Sequence, residues 1–249
     1  MTLRHLARAI VETARISGPT LLEGITGQLT PEICDHRLFS WSDKLLEQAG
    51  IQLHVAGLQL APSDEAFVVM SNHQSLYDIP VLFQALQRRL RMVAKHELFA
   101  IPGWGRAMRL SGFVDVDRRD RSQAIQSLEN AKAALHQGTS IWIAPEGTRG
   151  PGGRLLPFKQ GGFHLALSIG ARILPVSIEG TSRVLSAHGR EVHQGVDVHV
   201  TVSEPVASTD YGLERREELV ARVRHAIEAN LPDARASAED SATFPRAVS

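Results

Sequence analysis

The sequence predicts an α/β fold: a mixed, largely parallel sheet covered by helices, preceded by an N-terminal amphipathic helical segment. Three observations carry this. From Ile51 onward, short apolar runs alternate with stretches of helical periodicity. Two of those runs end in chemistry-bearing turns, Asn72-His73-Gln74-Ser75-Leu76-Tyr77-Asp78 and Pro145-Glu146-Gly147-Thr148-Arg149, and open α/β sheets place ligands at strand ends of this kind. The chain has 249 residues, 43% apolar and 22% charged, which suits one large domain or a domain with a small appendage.

In chain order, Leu3, Leu6, Ala7, Ile10, Val11 and Ala14 recur at helical spacing, with Arg4, Arg8, Glu12 and Arg15 elsewhere on the wheel. Gly18-Pro19 is expected to end this helix. It either packs on the main domain or lies in a membrane interface with its arginines toward lipid phosphates. A second helix starts at the cap Thr30 with Pro31 at its first position and stops at Gly50. Its stripe is Ile33, Leu38, Trp41, Leu45 and Leu46. Strands are expected at Ile51–Val55, Phe67–Ser71, Leu90–Ala94, Phe113–Asp117, Ile141–Ala144, Ile173–Ile178 and Val196–Val202. Between several of them, helices are expected at Ile79–Gln87, Ser122–Gln137, Gly161–Ser168 and Glu214–Asn230. In Ser122–Gln137 the cap is Ser122, the inward residues are Ile125, Leu128 and Leu135, and Gly138 follows the end. The Ala/Ser/Asp-rich stretch from Pro232 reads as disordered. The chain therefore divides into a helical segment (1–50), a main domain (51–231) and a tail (232–249).

Lys+Arg and Asp+Glu both number 27, and a net charge of zero argues against a general nucleic-acid binder. Between Arg88 and Arg121, nine Lys/Arg stand against four Asp/Glu. That stretch is either a solvated face or a surface for an anionic ligand or membrane. The single cysteine, Cys34, excludes an internal disulfide and any Cys-based zinc cage, and reads as a buried filler in a reducing compartment. No segment approaches the roughly 20 apolar residues needed to span a bilayer. Met1 to Gly18 also lacks the apolar core of a secretory signal. The expectation is a protein without a transmembrane helix, working from the cytoplasmic side, peripheral if its substrate is a lipid.

The two turns carry the chemistry. His73 should sit at a strand's C-terminal edge. Asp78 has two compatible readings: it caps a helix opening at Leu76, in a box with Ser75, or it accepts a hydrogen bond from one ring nitrogen of His73 and stabilises the imidazolium. In the second turn Pro145 stops a strand, Gly147 lets backbone approach a ligand, and Arg149 offers a planar fork suited to phosphate. Its alternative is a plain turn with a solvated arginine. Downstream, Pro157-Phe158-Lys159-Gln160-Gly161-Gly162 sets a basic residue and two glycines before a helix. Ser75 is a poor nucleophile candidate, since no Gly-x-Ser-x-Gly surrounds it.

Four blocks occur in order: Asn72-His73-x-Ser75-x-x-Asp78, Gly112-Phe113-Val114-Asp115-Val116-Asp117-Arg118, Pro145-Glu146-Gly147-Thr148-Arg149, and Leu174-Pro175-Val176. They resemble the blocks of the glycerophospholipid acyltransferases, specifically the bacterial 1-acyl-sn-glycerol-3-phosphate acyltransferases. Lys95 to Gly105 also looks like the family's segment before the second block. The resemblance spans roughly Val55 to Val176. It implies His73 as general base for the acceptor hydroxyl and Asp78 as its orienting partner. It implies Arg118 on the acceptor's phosphate, with Glu146, Gly147, Thr148 and Arg149 completing that site and Lys95 as an additional contact. Pro175 and its neighbours would line the acyl-donor side. The implied partners are a lysophospholipid acceptor, acyl-CoA or acyl-carrier protein as co-substrate, and an anionic membrane surface, with no metal and no cofactor. The product would be phosphatidate.

Three positions depart from the family pattern: Asp115 and Ala144 stand where an aromatic is usual, and Gly150 where serine is usual. Strand alternation puts Asp115 on a face with Asp117, away from Val114, Val116 and Arg118. The departures leave other acceptors open: glycerol-3-phosphate, dihydroxyacetone phosphate, another lysophospholipid or a lyso-aminolipid. A non-catalytic lipid-binding protein is a further alternative. Membrane contact is expected through the first helix and through Phe99, Ile101 and Trp104, which read as exposed between basic residues.

Overall fold

The computed structural model describes residues 3–116 and 121–232; the side chains of residues 3–6, 95, 116 and 121–127 lie outside the description. The strands are β1 (Gln52–Ala56), β2 (Val68–Ser71), β3 (Leu90–Lys95), β4 (Val114–Val116), β5 (Ser140–Ile143), β6 (Arg172–Glu179), β7 (Asp197–Val202) and β8 (Val206–Ala207). They form one sheet in the order β1-β7-β6-β2-β5-β3-β4, with β8 pairing on β6. From β6 to β4 neighbouring strands are parallel. β7 and β8 run antiparallel to β6, and β1 runs with β7. The central strands β2 and β5 are buried at every residue, as parallel strands covered on both faces must be.

The helices are α1 (Leu3–Thr26), α2 (Pro31–Gln48), α3 (Asp78–Leu86), α4 (His96–Phe99), α5 (Trp104–Leu110), α6 (Arg121–His136), α7 (Gly161–Ile169), α8 (Thr181–Val184) and α9 (Arg216–Glu228). Alternation along the strands sorts their side chains to two cores. Val69, Leu174, Val176 and Ile178 meet Leu38 and Leu45 of α2 and Val81 and Leu82 of α3. Val68, Met70, Ile141, Ile143 and Ile173 meet Ala131 of α6, Phe163 of α7, and Leu219, Val223 and Ile227 of α9. Cys34 is buried as a free thiol, and burial pushes its pKa up.

The second helix begins as its sequence predicts: the Thr30 hydroxyl accepts from the Ile33 N–H, with Pro31 behind it. The first does not stop at Gly18-Pro19; α1 runs through that pair to Thr26. Pro19 has no N–H to offer the carbonyl one turn back, yet tertiary contacts hold the following turns in line. Arg37 of α2 donates to the Thr20 hydroxyl at 3.1 Å and to Glu23 at 2.6 Å. Gly24, without a Cβ, leaves room for Leu110 of α5. The Thr20 hydroxyl itself donates to the Ile16 carbonyl at 2.7 Å.

The orientation of α1 departs from the usual rule for a surface helix. Polar contacts help seat its inner face, where Thr13 accepts from the Trp41 indole at 3.1 Å and Thr20 and Glu23 take Arg37, while Ala9 and Ile16 pack against the core. The apolar residues Ile10, Val11, Leu22 and Ile25 face outward, each more than half exposed. The loop expectation is partly corrected. Ile101 is exposed, but Phe99 is buried, with the Arg109 guanidinium 5.1 Å from its ring centre, because α4 folds it under α5. Trp104 is half-buried.

Candidate active site

Because β2 and β5 are adjacent and parallel, their C-terminal ends lie side by side, and the two motifs leave the sheet from one edge. β3 ends at the same edge with Lys95 as its last residue, and β4 beside it ends at Val116. The side chain of Lys95, and Arg118 altogether, lie outside the described residues.

At the end of β2, Asn72 clips the turn to the neighbouring strand: its amide donates to the Ile178 carbonyl and accepts the Ile178 N–H, both at 2.8 Å. His73 follows, half-buried. Its Nδ1 is 2.7 Å from Asp78 Oδ2, and its ring meets Trp142 edge-on at 5.3 Å. The Asp78 carboxylate is fully buried. Oδ2 also accepts the N–H groups of Gln74 at 2.7 Å and Ser75 at 2.9 Å, while Oδ1 accepts the hydroxyl of Thr181. An ionised carboxylate only accepts, so Nδ1 carries the ring proton and Nε2 keeps the lone pair.

Asp78 meets His73 Nδ1 and satisfies the capping reading only in part. Its bond to the Ser75 N–H is one half of a capping box, and α3 starts at Asp78 rather than at Leu76. The other half is missing. The Ser75 hydroxyl donates to the Leu185 carbonyl at 2.7 Å and accepts the Tyr77 N–H instead.

Glu146, expected beside the acceptor, is 2% exposed and directs both carboxylate oxygens at the protein's own backbone. Oε1 accepts the His73 N–H at 2.7 Å and Oε2 the Leu156 N–H at 2.6 Å. The His73 carbonyl accepts the Gly150 N–H at 2.8 Å. The backbone of His73 is thus tied through both its N–H and its C=O to the loop after β5. Burial raises the Glu146 pKa; the two N–H donors and the nearby His73 oppose that rise.

Gly147 has φ +69°, and a Cβ there would lie 2.8 Å from Lys159 Nζ. Its N–H is already given to the Ala144 carbonyl at 3.0 Å. Thr148 is exposed, and Arg149, half-buried, has no ion pair among the described residues. The departures find physical reasons. A Cβ on Gly150 would run into the Arg154 carbonyl oxygen, because the Pro151-Gly152-Gly153 turn folds back over it. Asp115 is matched by His96 at 3.2 Å and Arg109 at 3.4 Å. Ala144 packs against the core. Pro175 is buried inside β6, its carbonyl accepting the Ser203 N–H at 3.0 Å.

Three contributors escape the sequence. Thr181 touches Asp78 across 103 positions, and nothing around it marks it. Trp142 reads only as an apolar strand residue. Leu156 acts through its backbone N–H, which has no sequence signature. Among the described residues, no group of three or more His, Cys, Asp or Glu is placed to hold a metal ion.

A family model described as "Acyltransferase" matches residues 52–179. The chain is 33% identical over 169 residues to the 1-acyl-sn-glycerol-3-phosphate acyltransferase of Escherichia coli (strain K12), covering 67% of each chain. It is 34% identical over 179 residues to the Homo sapiens 1-acyl-sn-glycerol-3-phosphate acyltransferase alpha, covering 72% of this chain and 63% of that one. The mouse counterpart is likewise spanned over 63% of its length. The crystal structure of the 1-acyl-sn-glycerophosphate acyltransferase PlsC from Thermotoga maritima superposes with a TM-score of 0.74 at 26% identity, covering 98% of this chain and 96% of that one.

Proposed function

The chain belongs to the acyltransferase family, and from that premise we propose that it transfers a fatty acyl group from a thioester donor to the free hydroxyl of 1-acyl-sn-glycerol-3-phosphate, giving phosphatidate. The observation that carries this reading is the His73–Asp78 pair, a half-buried imidazole on a fully buried carboxylate, standing beside the Pro145–Arg149 loop at one sheet edge. The names of the bacterial and mammalian relatives support the choice of acceptor. The donor is acyl-CoA or acyl-carrier protein, and the chemistry calls for neither metal nor cofactor. Mass spectrometry of a reaction containing purified protein, lysophosphatidate and palmitoyl-CoA tests the reading. Phosphatidate is the product expected; acylation of a different acceptor replaces the substrate, and no acylated product overturns the assignment.

In this mechanism the acceptor hydroxyl attacks the thioester carbonyl carbon while His73 Nε2 takes its proton. Asp78 holds Nδ1–H and stabilises the imidazolium. The tetrahedral intermediate collapses with cleavage of the C–S bond, and the imidazolium returns the proton to sulfur. A thiol with a pKa of about 8.5 leaves readily, so the demand for acid help is small. Base catalysis by a positioned histidine contributes about 10²–10⁴-fold. The Gly147 N–H is committed to Ala144, so an oxyanion donor from this loop has to be another of its amides. Arg149, Thr148, Arg118 and Lys95 bind the phosphate. Glu146 and Gly147 shape that site by holding the loop against His73.

The catalytic unit is residues 51–231, and residues 1–50 carry it to the membrane, with α2 docked on the core. The outward apolar residues of α1, Ile10 to Ile25, span about 22 Å at 1.5 Å per residue, with Arg8 and Arg15 exposed beside them. This suits insertion into an anionic lipid interface, and a lipid acceptor gives that face its purpose. Among the described residues no helix is long and apolar enough to cross a membrane. We propose a peripheral seat on the cytoplasmic face, carried by the outward apolar residues of α1.

A further inference from the structure

We propose that Thr181 is a positioning residue for the His73–Asp78 pair, an inference that rests on the acyl-transfer reading above. Thr181 is fully buried, and its hydroxyl donates to Asp78 Oδ1, the carboxylate oxygen that His73 does not use. The other oxygen is held by three donors: His73 Nδ1 and the N–H groups of Gln74 and Ser75. Thr181 is the donor that the structure gives Oδ1, and at 0% side-chain exposure the carboxylate has no bulk water to replace it.

The backbone is arranged to bring this hydroxyl in. β6 lies next to β2, so its C-terminal end reaches the same edge as His73. Gly180 then turns the chain at φ +99°, and a Cβ there would collide with the Asp197 carbonyl oxygen, so the turn requires glycine. Thr181 follows directly and opens α8 beneath Asp78. With Oδ1 pinned, the carboxylate cannot rotate, and Oδ2 stays aligned on Nδ1. Without it, a buried lone pair goes unsatisfied and the carboxylate turns toward other donors, loosening its hold on the imidazole. The charged groups facing His73 are Asp78 from α3 and Glu146 from the loop after β5; Thr181 acts through the first.

The test compares wild type with Thr181→Val, nearly the same in shape without the hydroxyl, and with Thr181→Ser, which keeps it. The His73 imidazole is titrated by NMR without substrate, its resonance assigned by its loss in His73→Gln. In Thr181→Val the His73 pKa is expected to fall by about 0.5 or more, since the imidazolium loses its aligned anion. kcat should fall about ten- to hundredfold, with KM for the acceptor within about twofold. Thr181→Ser should restore both. An unchanged or raised His73 pKa in Thr181→Val overturns the proposal, even if melting temperature or activity drops, because a purely structural threonine would give that result. Failure of Thr181→Ser to restore the titration overturns it as well. Absence of acyl transfer by wild type would count against the acyl-transfer reading alone, since the titration judges Thr181 without turnover.

Discussion

At the scale of single residues, Glu146 shows how a buried carboxyl group holds the turn that carries His73. It accepts two backbone N–H groups, from His73 and Leu156, on its two oxygens. An amide has one acceptor oxygen, so in Glu146→Gln one N–H would face an NH₂ instead. That change should destabilise the fold by about 1–3 kcal/mol and lower kcat by displacing His73. The pH dependence has a definite sign. Burial raises the folded-state pKa of Glu146 above the ordinary carboxylate range, so its pH-linked contribution is fully present below the unfolded pKa and is lost as pH rises through the folded one. The stability gap between wild type and Glu146→Gln should therefore shrink as pH rises from about 4.5 toward neutrality. Denaturant melts of both proteins across that range measure it, and a gap that widens contradicts the assignment. Gly150 gives a second expectation. Restoring the family's usual serine by Gly150→Ser should destabilise by about 1–3 kcal/mol, because the Arg154 carbonyl occupies the Cβ position; an unchanged denaturation midpoint would sink that explanation. The spacing of His73 and Asp78 was legible in the sequence, since four residues of turn bring them together. The partners of Glu146 were not, because Leu156 reaches it only when the chain folds back through Pro151-Gly152-Gly153.

Among the elements, α1 departs furthest from what its sequence led one to expect. Gly18-Pro19 has the signature of a helix end, yet Arg37 and the seat of Leu110 on Gly24 keep the helix going. A sequence window cannot register a partner on another helix. The amphipathic stripe was visible, but which way it faces was not, since that depends on Trp41 and Arg37 supplying polar partners to the opposite side. Replacing Ile10, Val11, Leu22 and Ile25 together by glutamine should cut sedimentation with anionic liposomes more than tenfold. The melting temperature should hold to within about 2 °C, because exposed side chains contribute little to stability. Unchanged sedimentation would remove α1 from the membrane account. The short elements α4, α5 and α8 carry too few residues for a periodic signal, and Phe99 was misjudged as exposed for that reason.

For the whole molecule, the alternation of strands and helices was enough to predict a covered, largely parallel sheet, and the seven longer strands fall where their apolar runs do. Strand order was not legible. Nothing local says that β6 lies between β7 and β2, yet that placement brings Thr181 to Asp78 and lets Asn72 clip to Ile178. The site is thus a product of topology: the ends of β2, β5 and β6 deliver an imidazole, a loop and a hydroxyl to one edge from positions a hundred residues apart. The central claim is that His73 activates the hydroxyl of a lysophosphatidate for attack on a thioester. The most direct test is thiol release from palmitoyl-CoA by wild type and His73→Ala, with and without lysophosphatidate. Release should require lysophosphatidate and fall about 10²–10⁴-fold in His73→Ala; release that persists in His73→Ala at the wild-type rate rules His73 out as the base.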